Sequence, residues 1–308
     1  RLVMPQLSRL NLESNSFGGT LPTWWGAMSK LQYLSFAENQ FGAFIPTELG
    51  ALTQLSSLQL QGNMLTGTIP IEIGNATSLI ELSLEGNMFT GSLPSQLGHL
   101  TEVEVLNCAN NALTGSIPPQ IGAMQSLKSL YLNQNRLNGT IPESFTSLTI
   151  LRYLALTNNQ LTGALPVGIA ALVDLESLLV SSNRLSGSLP SQFGSLEVLF
   201  ELNVGTNLLS GQLPSELGNL GKLDTLVTNS NNFSGTIPSH IGQLSRLQLL
   251  DMSGNPLLVG QIPPELSGLT RLQTLLLNGT SIAGTVPASV CALESLTTLA
   301  TTSSSGCN

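Results

Sequence analysis

Apolar and polar residues alternate along this chain in a short pattern that returns at a fixed interval. In "LSSLQLQGN" (55–63), Leu58 and Leu60 alternate with Gln59 and Gln61. This period of two is typical of a strand with one buried face. A proline closes each of twelve copies of the pattern, at positions 22, 46, 70, 94, 118, 142, 166, 190, 214, 238, 263 and 287.

The repeat length predicts how the core is built. A unit of 24 residues, with one of 25, cannot bury its apolar face alone, so neighbouring copies must stack and share one interior. An asparagine stands seven residues before the proline in most copies, as Asn63 does before Pro70. We expect each asparagine to bond the turn backbone of its own coil and of the next one. Gly67 and its equivalents predict a turn with positive φ.

The full motif, L-x-x-L-x-L-x-x-N-x-L-[TS]-G-x-[IL]-P-x-x-[LI]-G-x-L, resembles the leucine-rich repeat of the plant-specific subtype. Receptor-like kinase and receptor-like protein ectodomains, polygalacturonase-inhibiting proteins and similar secreted algal and diatom proteins carry such repeats. The resemblance implies an α/β solenoid, a right-handed leucine-rich repeat superhelix. It also implies a concave parallel β-sheet, a short flanking strand and a convex side of 3₁₀ or irregular structure. We expect the solenoid to cover residues 1–300 and a C-terminal cap to cover residues 288–308.

Charge and hydropathy narrow the function classes. Charged residues make up 9% of the chain, against about 25% in typical domains. The net charge of −8 argues against nucleic acid as a partner, which would require a basic face. No apolar run reaches the roughly 20 residues of a membrane span. The surface is therefore expected to be rich in uncharged polar groups.

Three cysteines predict two different environments. Cys108 stands where the repeat has an inward leucine, so it is expected to be a buried free thiol. Cys291 and Cys307 are expected to form a disulfide that pins the cap over the last coil. Such a bridge predicts an oxidising compartment, so we expect an extracellular or cell-surface protein of the secretory pathway.

Four N-x-[ST] sequons mark candidate glycosylation sites. They are no more frequent than chance expects in a chain so rich in asparagine, serine and threonine. Asn75 and Asn138 lie in predicted exposed turns, whereas Asn278 is expected to point onto the concave face. The four sites are Asn75, Asn138, Asn232 and Asn278.

No catalytic constellation is evident in the sequence. His99 and His240 lie six coils apart, too far to share a metal or a proton relay. Glu81 and Glu85 share one strand but are about 13 Å apart, beyond the roughly 5–9.5 Å of glycosidase carboxylate pairs. The sequence therefore predicts a protein without enzymatic activity, metal or cofactor.

Outward strand positions are the candidate binding surface, because the core does not need them. Apolar residues there are candidate interface anchors. One predicted cluster lies near the middle of the chain and a second near the carboxyl end. The predicted ligand-binding residues are Val105, Tyr131, Tyr153 and Leu179 in the first, and Val227, Leu249 and Leu276 in the second.

Three functions compete at this point. The first is an extracellular recognition module, as in a receptor ectodomain, whose concave face binds a peptide, protein or glycan. The second is a structural or adhesive role in a matrix or filament, with self-association through the solenoid ends. The third is ice binding through threonine-rich faces, which the mixed residues of the concave columns disfavour. We favour recognition, and a peptide-capturing monomer would distinguish it from a self-associating structural protein.

Overall fold

A computed structural model of the chain describes residues 4–302 and 307. The chain folds as two compact units, residues 1–160 and residues 161–308, called unit 1 and unit 2 below. Each unit is a stack of coils, and each coil is one sequence repeat. The division of the chain into a solenoid over 1–300 and a cap over 288–308 stays a prediction; residues 1–3, 303–306 and 308 of it lie outside the described residues.

Unit 1 contains one main sheet and one flanking sheet, both parallel. The main sheet has the order β1-β3-β5-β7-β9-β10-β11, and the flanking sheet has the order β2-β4-β6-β8. In chain order the strands are β1 (Arg9–Asn11), β2 (Gly18–Thr20), β3 (Tyr33–Ser35), β4 (Gln40–Ala43), β5 (Ser57–Gln59), β6 (Met64–Gly67), β7 (Glu81–Ser83), β8 (Met88–Phe89), β9 (Val105–Asn107), β10 (Ser129–Tyr131) and β11 (Tyr153–Ala155).

Unit 2 repeats this arrangement. Its main sheet has the order β13-β15-β17-β19-β20-β21, and its flanking sheet has the order β12-β14-β16-β18. The strands are β12 (Thr162–Gly163), β13 (Ser177–Leu179), β14 (Arg184–Gly187), β15 (Glu201–Asn203), β16 (Leu208–Gln212), β17 (Thr225–Val227), β18 (Asn232–Ser234), β19 (Leu249–Asp251), β20 (Thr274–Leu276) and β21 (Thr298–Ala300).

The main-sheet strands pair in register because every coil has nearly the same length. Leu34 pairs with Leu58, and Leu58 pairs with Leu82. Each of these central leucines is fully buried, and burying one such side chain contributes about 1.5–3 kcal/mol. The two residues that flank the central leucine in each strand therefore point away from the core. This confirms the predicted strand pattern.

The motif prolines precede short helices on the opposite side of each coil. Pro46 and Pro70, for example, have extended backbone and sit just before the first helical residue, where a missing N–H costs no hydrogen bond. The 3₁₀ helices are Thr23–Ala27, Thr47–Ala51, Ile71–Asn75, Ser95–His99, Pro119–Ala123 and Glu143–Ser147 in unit 1, and Val167–Ala171, Ser191–Ser195, Ser215–Asn219, Ser239–Gln243 and Pro264–Gly268 in unit 2.

The last repeat differs, because it forms a short α-helix, α1 (Ala288–Cys291). In most of the earlier coils a glycine occupies the position of Cys291. A Cβ on Gly74, for example, would lie 2.4 Å from the carbonyl oxygen of Gln96 in the following coil. None of the helices among the described residues combines the length and the apolar character needed to cross a membrane.

The motif asparagines form a hydrogen-bonded ladder along each stack. Asn87 donates to the carbonyl oxygens of Leu84 and Glu85 in its own coil, at 3.1 Å each. It also donates to Leu60 of the preceding coil at 2.9 Å, and its Oδ1 accepts from the N–H of Leu65 at 3.0 Å. The ladder was expected to reach toward the next coil, and that direction was wrong. The asparagine bonds back onto the coil that precedes it.

The cysteines occupy the two predicted environments. Cys291 and Cys307 form a disulfide, with their Cα atoms 5.4 Å apart. Cys108 is a free and fully buried thiol, and burial raises its pKa from 9.0 to about 12. Because the thiol form is favoured so strongly, Cys108 acts as a small apolar core residue.

Candidate functional site

Main-sheet positions that point outward are not equally accessible. Small side chains such as Ser35, Ser129 and Ala155 are buried even though they point away from the core. Larger neighbours on adjacent strands cover them, since equivalent positions pair directly across the sheet. The accessible surface of each main sheet is therefore set by its larger side chains.

The predicted central cluster lies partly within unit 1. Val105, Tyr131 and Tyr153 are on the adjacent strands β9, β10 and β11, and Tyr153 is 37% exposed while the other two are half-buried. Ser129 pairs with Val105 on one side and with Tyr153 on the other, so it separates these two residues. Tyr131 lies two residues further along β10 and pairs with Ala155. The three side chains thus share one face but do not form an unbroken row. Leu179 is half-buried on β13 in unit 2, where it pairs with Asn203.

The predicted second cluster lies entirely in unit 2. Val227, Leu249 and Leu276 are half-buried on the adjacent strands β17, β19 and β20. Asp251 stands between Val227 and Leu276 in the register, and Leu249 pairs with threonines on either side. A carboxylate therefore interrupts this apolar group. The ligand-binding role of both clusters stays a prediction.

A cavity of about 310 Å³ opens on the main-sheet side of unit 1, and sequence reasoning missed it. The side chain of Tyr131 lines it together with Glu85, Asn107, Ala109 and Asn133. Glu85, Ala109 and Asn133 stand two residues before the motif asparagine in three consecutive coils. Comparing the residues two before the motif asparagine from coil to coil would have shown this succession of a carboxylate, a small residue and an amide.

The Glu85 carboxylate is held by amides of the next coil. Its Oε2 accepts from Nδ2 of Asn107 at 2.7 Å, and its Oε1 accepts from Nδ2 of Asn110 at 2.9 Å. No ion pair to Glu85 is formed within the described part of the chain. Glu81 lies on β7, whereas Glu85 lies beyond the end of that strand, so the expectation that the two share one strand was wrong. The carboxylate of Glu81 turns the other way and accepts from Ser57 and Gln59 of the preceding coil. The two carboxylates are thus engaged by different coils.

Polar side chains flank the motif glycine in successive coils, and sequence reasoning also missed them. The residues on either side of that glycine are exposed or half-buried, because neither faces the core. From Gly67 to the end of unit 1 they are Thr66 and Thr68, Thr90 and Ser92, Thr114 and Ser116, and Asn138 and Thr140. Of these, Thr66 lies in β6, and the others lie beyond the strands of the flanking sheet. Exposed apolar side chains, Phe44, Met64 and Met88, lie on or beside the same sheet.

The remaining candidates carry no recognisable chemistry. Among residues 4–302 and 307, no group of three or more His, Cys, Asp or Glu side chains is placed to hold a metal ion. A groove of about 580 Å³ in unit 2 lies along the 3₁₀ helices and is lined by polar residues that include Glu197, Glu216 and Lys222. All four sequon asparagines, Asn75, Asn138, Asn232 and Asn278, are exposed, and their glycosylation stays a prediction.

Comparisons with known proteins agree with this architecture. A leucine-rich repeat region profile matches residues 119–254, and a leucine-rich repeat profile matches residues 5–65. Single leucine-rich repeats match residues 78–100, 102–124 and 246–269. No curated protein sequence gives a significant match.

Solved structures give closer comparisons. The plant peptide hormone receptor RGFR1, solved in complex with RGF2, is 35% identical with a TM-score of 0.94, over 96% of this chain and 47% of that one. PEPR1, solved with AtPEP1, is 36% identical with a TM-score of 0.91, over 94% of this chain and 41% of that one. A plant ice-binding protein is 30% identical with a TM-score of 0.67, over 81% of this chain and 82% of that one.

The chain thus spans less than half the length of the two receptors that it matches. Nearly the whole of this chain superposes on part of each receptor. The chain therefore belongs to the leucine-rich repeat family and carries the plant-type repeat of receptor-kinase ectodomains.

Proposed function

We propose that the chain is an extracellular recognition module whose main-sheet face binds a peptide or a segment of a protein. The observation that carries this proposal is the group of Val105, Tyr131 and Tyr153 on adjacent strands of unit 1. These positions contribute nothing to the interior, yet they hold two aromatic side chains and one aliphatic side chain. RGFR1 and PEPR1, both solved with a peptide bound, offer a precedent for the ligand class.

The physical case rests on rigidity. Tyrosine side chains bring large contact areas at a low entropic cost, and they are enriched among residues that dominate binding energy. Strand β10, which carries Tyr131, is fixed by in-register pairing with β9 and β11, so little order has to be imposed on binding. The disulfide between Cys291 and Cys307 supports a location in the secretory pathway or outside the cell.

Selection from a random 12-residue peptide library displayed on phage tests the proposal directly. We expect the wild-type protein to enrich a family of related peptides. The double variant Tyr131→Ala and Tyr153→Ala should bind the enriched peptides at least tenfold more weakly, since it removes both anchors. Tyr33→Ala is the matched control, because Tyr33 is also a half-buried tyrosine on the main sheet of unit 1 but lies on β3, away from the group.

Three results would count against recognition by this face. One is a wild-type selection without enrichment, and another is a double variant that binds as tightly as wild type. A third is a loss of binding in Tyr33→Ala that equals the loss in the double variant. A structural or adhesive role predicts instead that the purified protein self-associates, which light scattering measures, and that it selects no peptide.

Ice binding is a second candidate, and the polar side chains beside the motif glycines favour it. Thr114 and Ser116, followed by Asn138 and Thr140, present exposed polar groups on consecutive coils. Coils that stack at about the 4.8 Å spacing of the main-sheet strands repeat these groups at the same interval, and a regular array of polar groups suits an ordered crystalline surface. The similarity to a plant ice-binding protein supports the same function. An ice recrystallisation assay tests it, and growth of ice grains at the rate seen with albumin would rule this candidate out.

A further inference from the structure

Building on the proposed function, we infer that the cavity beside Glu85 is the subsite for an arginine side chain of the bound peptide. The cavity adjoins Tyr131, which the proposed function already places in the binding face. Its lining combines one carboxylate, one aromatic ring and two amide side chains with the small side chain of Ala109. Each part has a separate role in holding a guanidinium group.

The carboxylate of Glu85 is fixed before any ligand arrives. Asn107 and Asn110 each donate to one of its oxygens, so each oxygen keeps a further lone pair for a ligand. Asn107 is itself oriented, because its Oδ1 accepts from the N–H of Ala109 at 3.1 Å. Asn110 has a left-handed backbone with φ of 54°, a conformation that asparagine tolerates well. The acceptor pair is therefore pre-organised rather than assembled on binding.

The space next to the carboxylate comes from a small residue between two larger ones. Ala109 is 2% exposed and lies between Glu85 and Asn133 in consecutive coils. The N–H of Gly86 donates to the carbonyl of Ala109, and the N–H of Asn110 donates to the carbonyl of Asn133. A longer side chain at 109 would fill the cavity. The side-chain amide of Asn133 makes no hydrogen bond within residues 4–302, so its oxygen is available to a ligand N–H. Tyr131 forms another wall of the same cavity.

Charge and shape together select arginine. Glu85 has no cationic partner among the described residues, and the chain as a whole carries a net charge of −8. A guanidinium is planar, binds both oxygens of a carboxylate at once and stacks on an aromatic face. A lysine ammonium supplies only a point charge, and a neutral sugar leaves the carboxylate without a counter-charge. The cavity therefore fits arginine better than either of these.

The test uses the phage selection described above, followed by titration of one enriched peptide. We expect the enriched peptides to share one arginine at a fixed position. Replacing that arginine by citrulline, which is neutral and nearly the same shape, should weaken binding to the wild-type protein by about tenfold to a hundredfold. Glu85→Gln should weaken binding of the arginine peptide by a similar factor and should no longer distinguish it from the citrulline peptide.

Two further variants separate a local effect from a general one. Glu81→Gln removes the same charge from the same stretch of main sheet but lies outside the cavity, so the preference for arginine should survive. Ala109→Met fills the cavity and leaves every charge in place, and it should abolish that preference. Circular dichroism melting checks that each variant is folded.

The outcomes distinguish this inference from the function on which it rests. Peptides that are enriched without a shared basic residue, or a Glu85→Gln variant that keeps the full arginine preference, would overturn the subsite and leave peptide recognition standing. A shared lysine that tolerates Glu85→Gln would overturn it as well. If the wild-type protein enriches no peptide, both the proposed function and the subsite fail.

Discussion

Replacement of Asn87 by alanine tests the physical basis of the stack. Asn87 is almost completely buried and makes four hydrogen bonds to backbone groups. The N–H of Leu65, a fully buried residue, donates to Oδ1 of Asn87, so the variant removes the acceptor of a buried donor. The carbonyls of Leu60, Leu84 and Glu85 each keep another donor, so they lose less.

The magnitude follows from this unequal loss. An unpaired buried N–H costs about 1–3 kcal/mol, and each lost bond to a carbonyl that keeps a partner costs a smaller amount, about 0.5 kcal/mol. With three such carbonyl bonds, we therefore expect Asn87→Ala to lower the free energy of unfolding by about 2.5–4.5 kcal/mol. Guanidinium unfolding measures this loss, and hydrogen exchange should show faster exchange of the Leu65 amide.

Asn15→Ala is the matched control, because Asn15 holds the same motif position in an exposed coil. Within the described part of the chain its side chain bonds the carbonyls of Leu12 and Glu13 alone, and water can replace it there. Its loss should be about 0.5 kcal/mol or less. If the two variants differ by less than about 1 kcal/mol, the asparagine ladder does not stabilise the stack and the reasoning is refuted.

Two other predictions concern the backbone and the cysteines. Gly74→Ala should lower the free energy of unfolding by about 1–3 kcal/mol, because the added Cβ would lie 2.4 Å from the carbonyl oxygen of Gln96. Gly221→Ala is its control, because no atom lies within 4 Å of the added Cβ. Its free energy of unfolding should stay close to that of the wild type in the same assay. Ellman's reagent at pH 8 should count no thiol in the native protein, since Cys108 is buried with a pKa raised to about 12. It should count one thiol after unfolding, and a count of three without reductant would contradict the disulfide.

Much of the fold follows from local pattern alone. Alternating leucines such as Leu58 and Leu60 specify one buried face, and a constant repeat length aligns each leucine with its equivalent in the next coil. The 3₁₀ helices after the prolines and the disulfide between Cys291 and Cys307 were also confirmed. The strands and the 3₁₀ helices depend on the residues of one repeat. The disulfide could be predicted because Cys291 replaces the glycine that most repeats have at that position.

The direction of the asparagine bonds could not be read from the sequence. Asn87 has donors and an acceptor that suit either neighbouring coil, and only the stacking geometry places Leu60 and Leu65 within reach. Contacts between coils decide this direction, and a motif written for one coil does not contain it.

The alternation of residues along each strand is enough to predict which side chains point outward from the main sheet, because a strand sends alternate residues to opposite faces. Which of these side chains a ligand can reach depends on how the coils pack together. Ser129 and Ala155 are covered while Tyr153 is accessible, and a cavity opens at Ala109 because the residues beside it come from coils 24 residues away. The accessibility of a side chain depends on the residues that lie next to it in the adjacent coils, and the sequence of a single coil does not determine it.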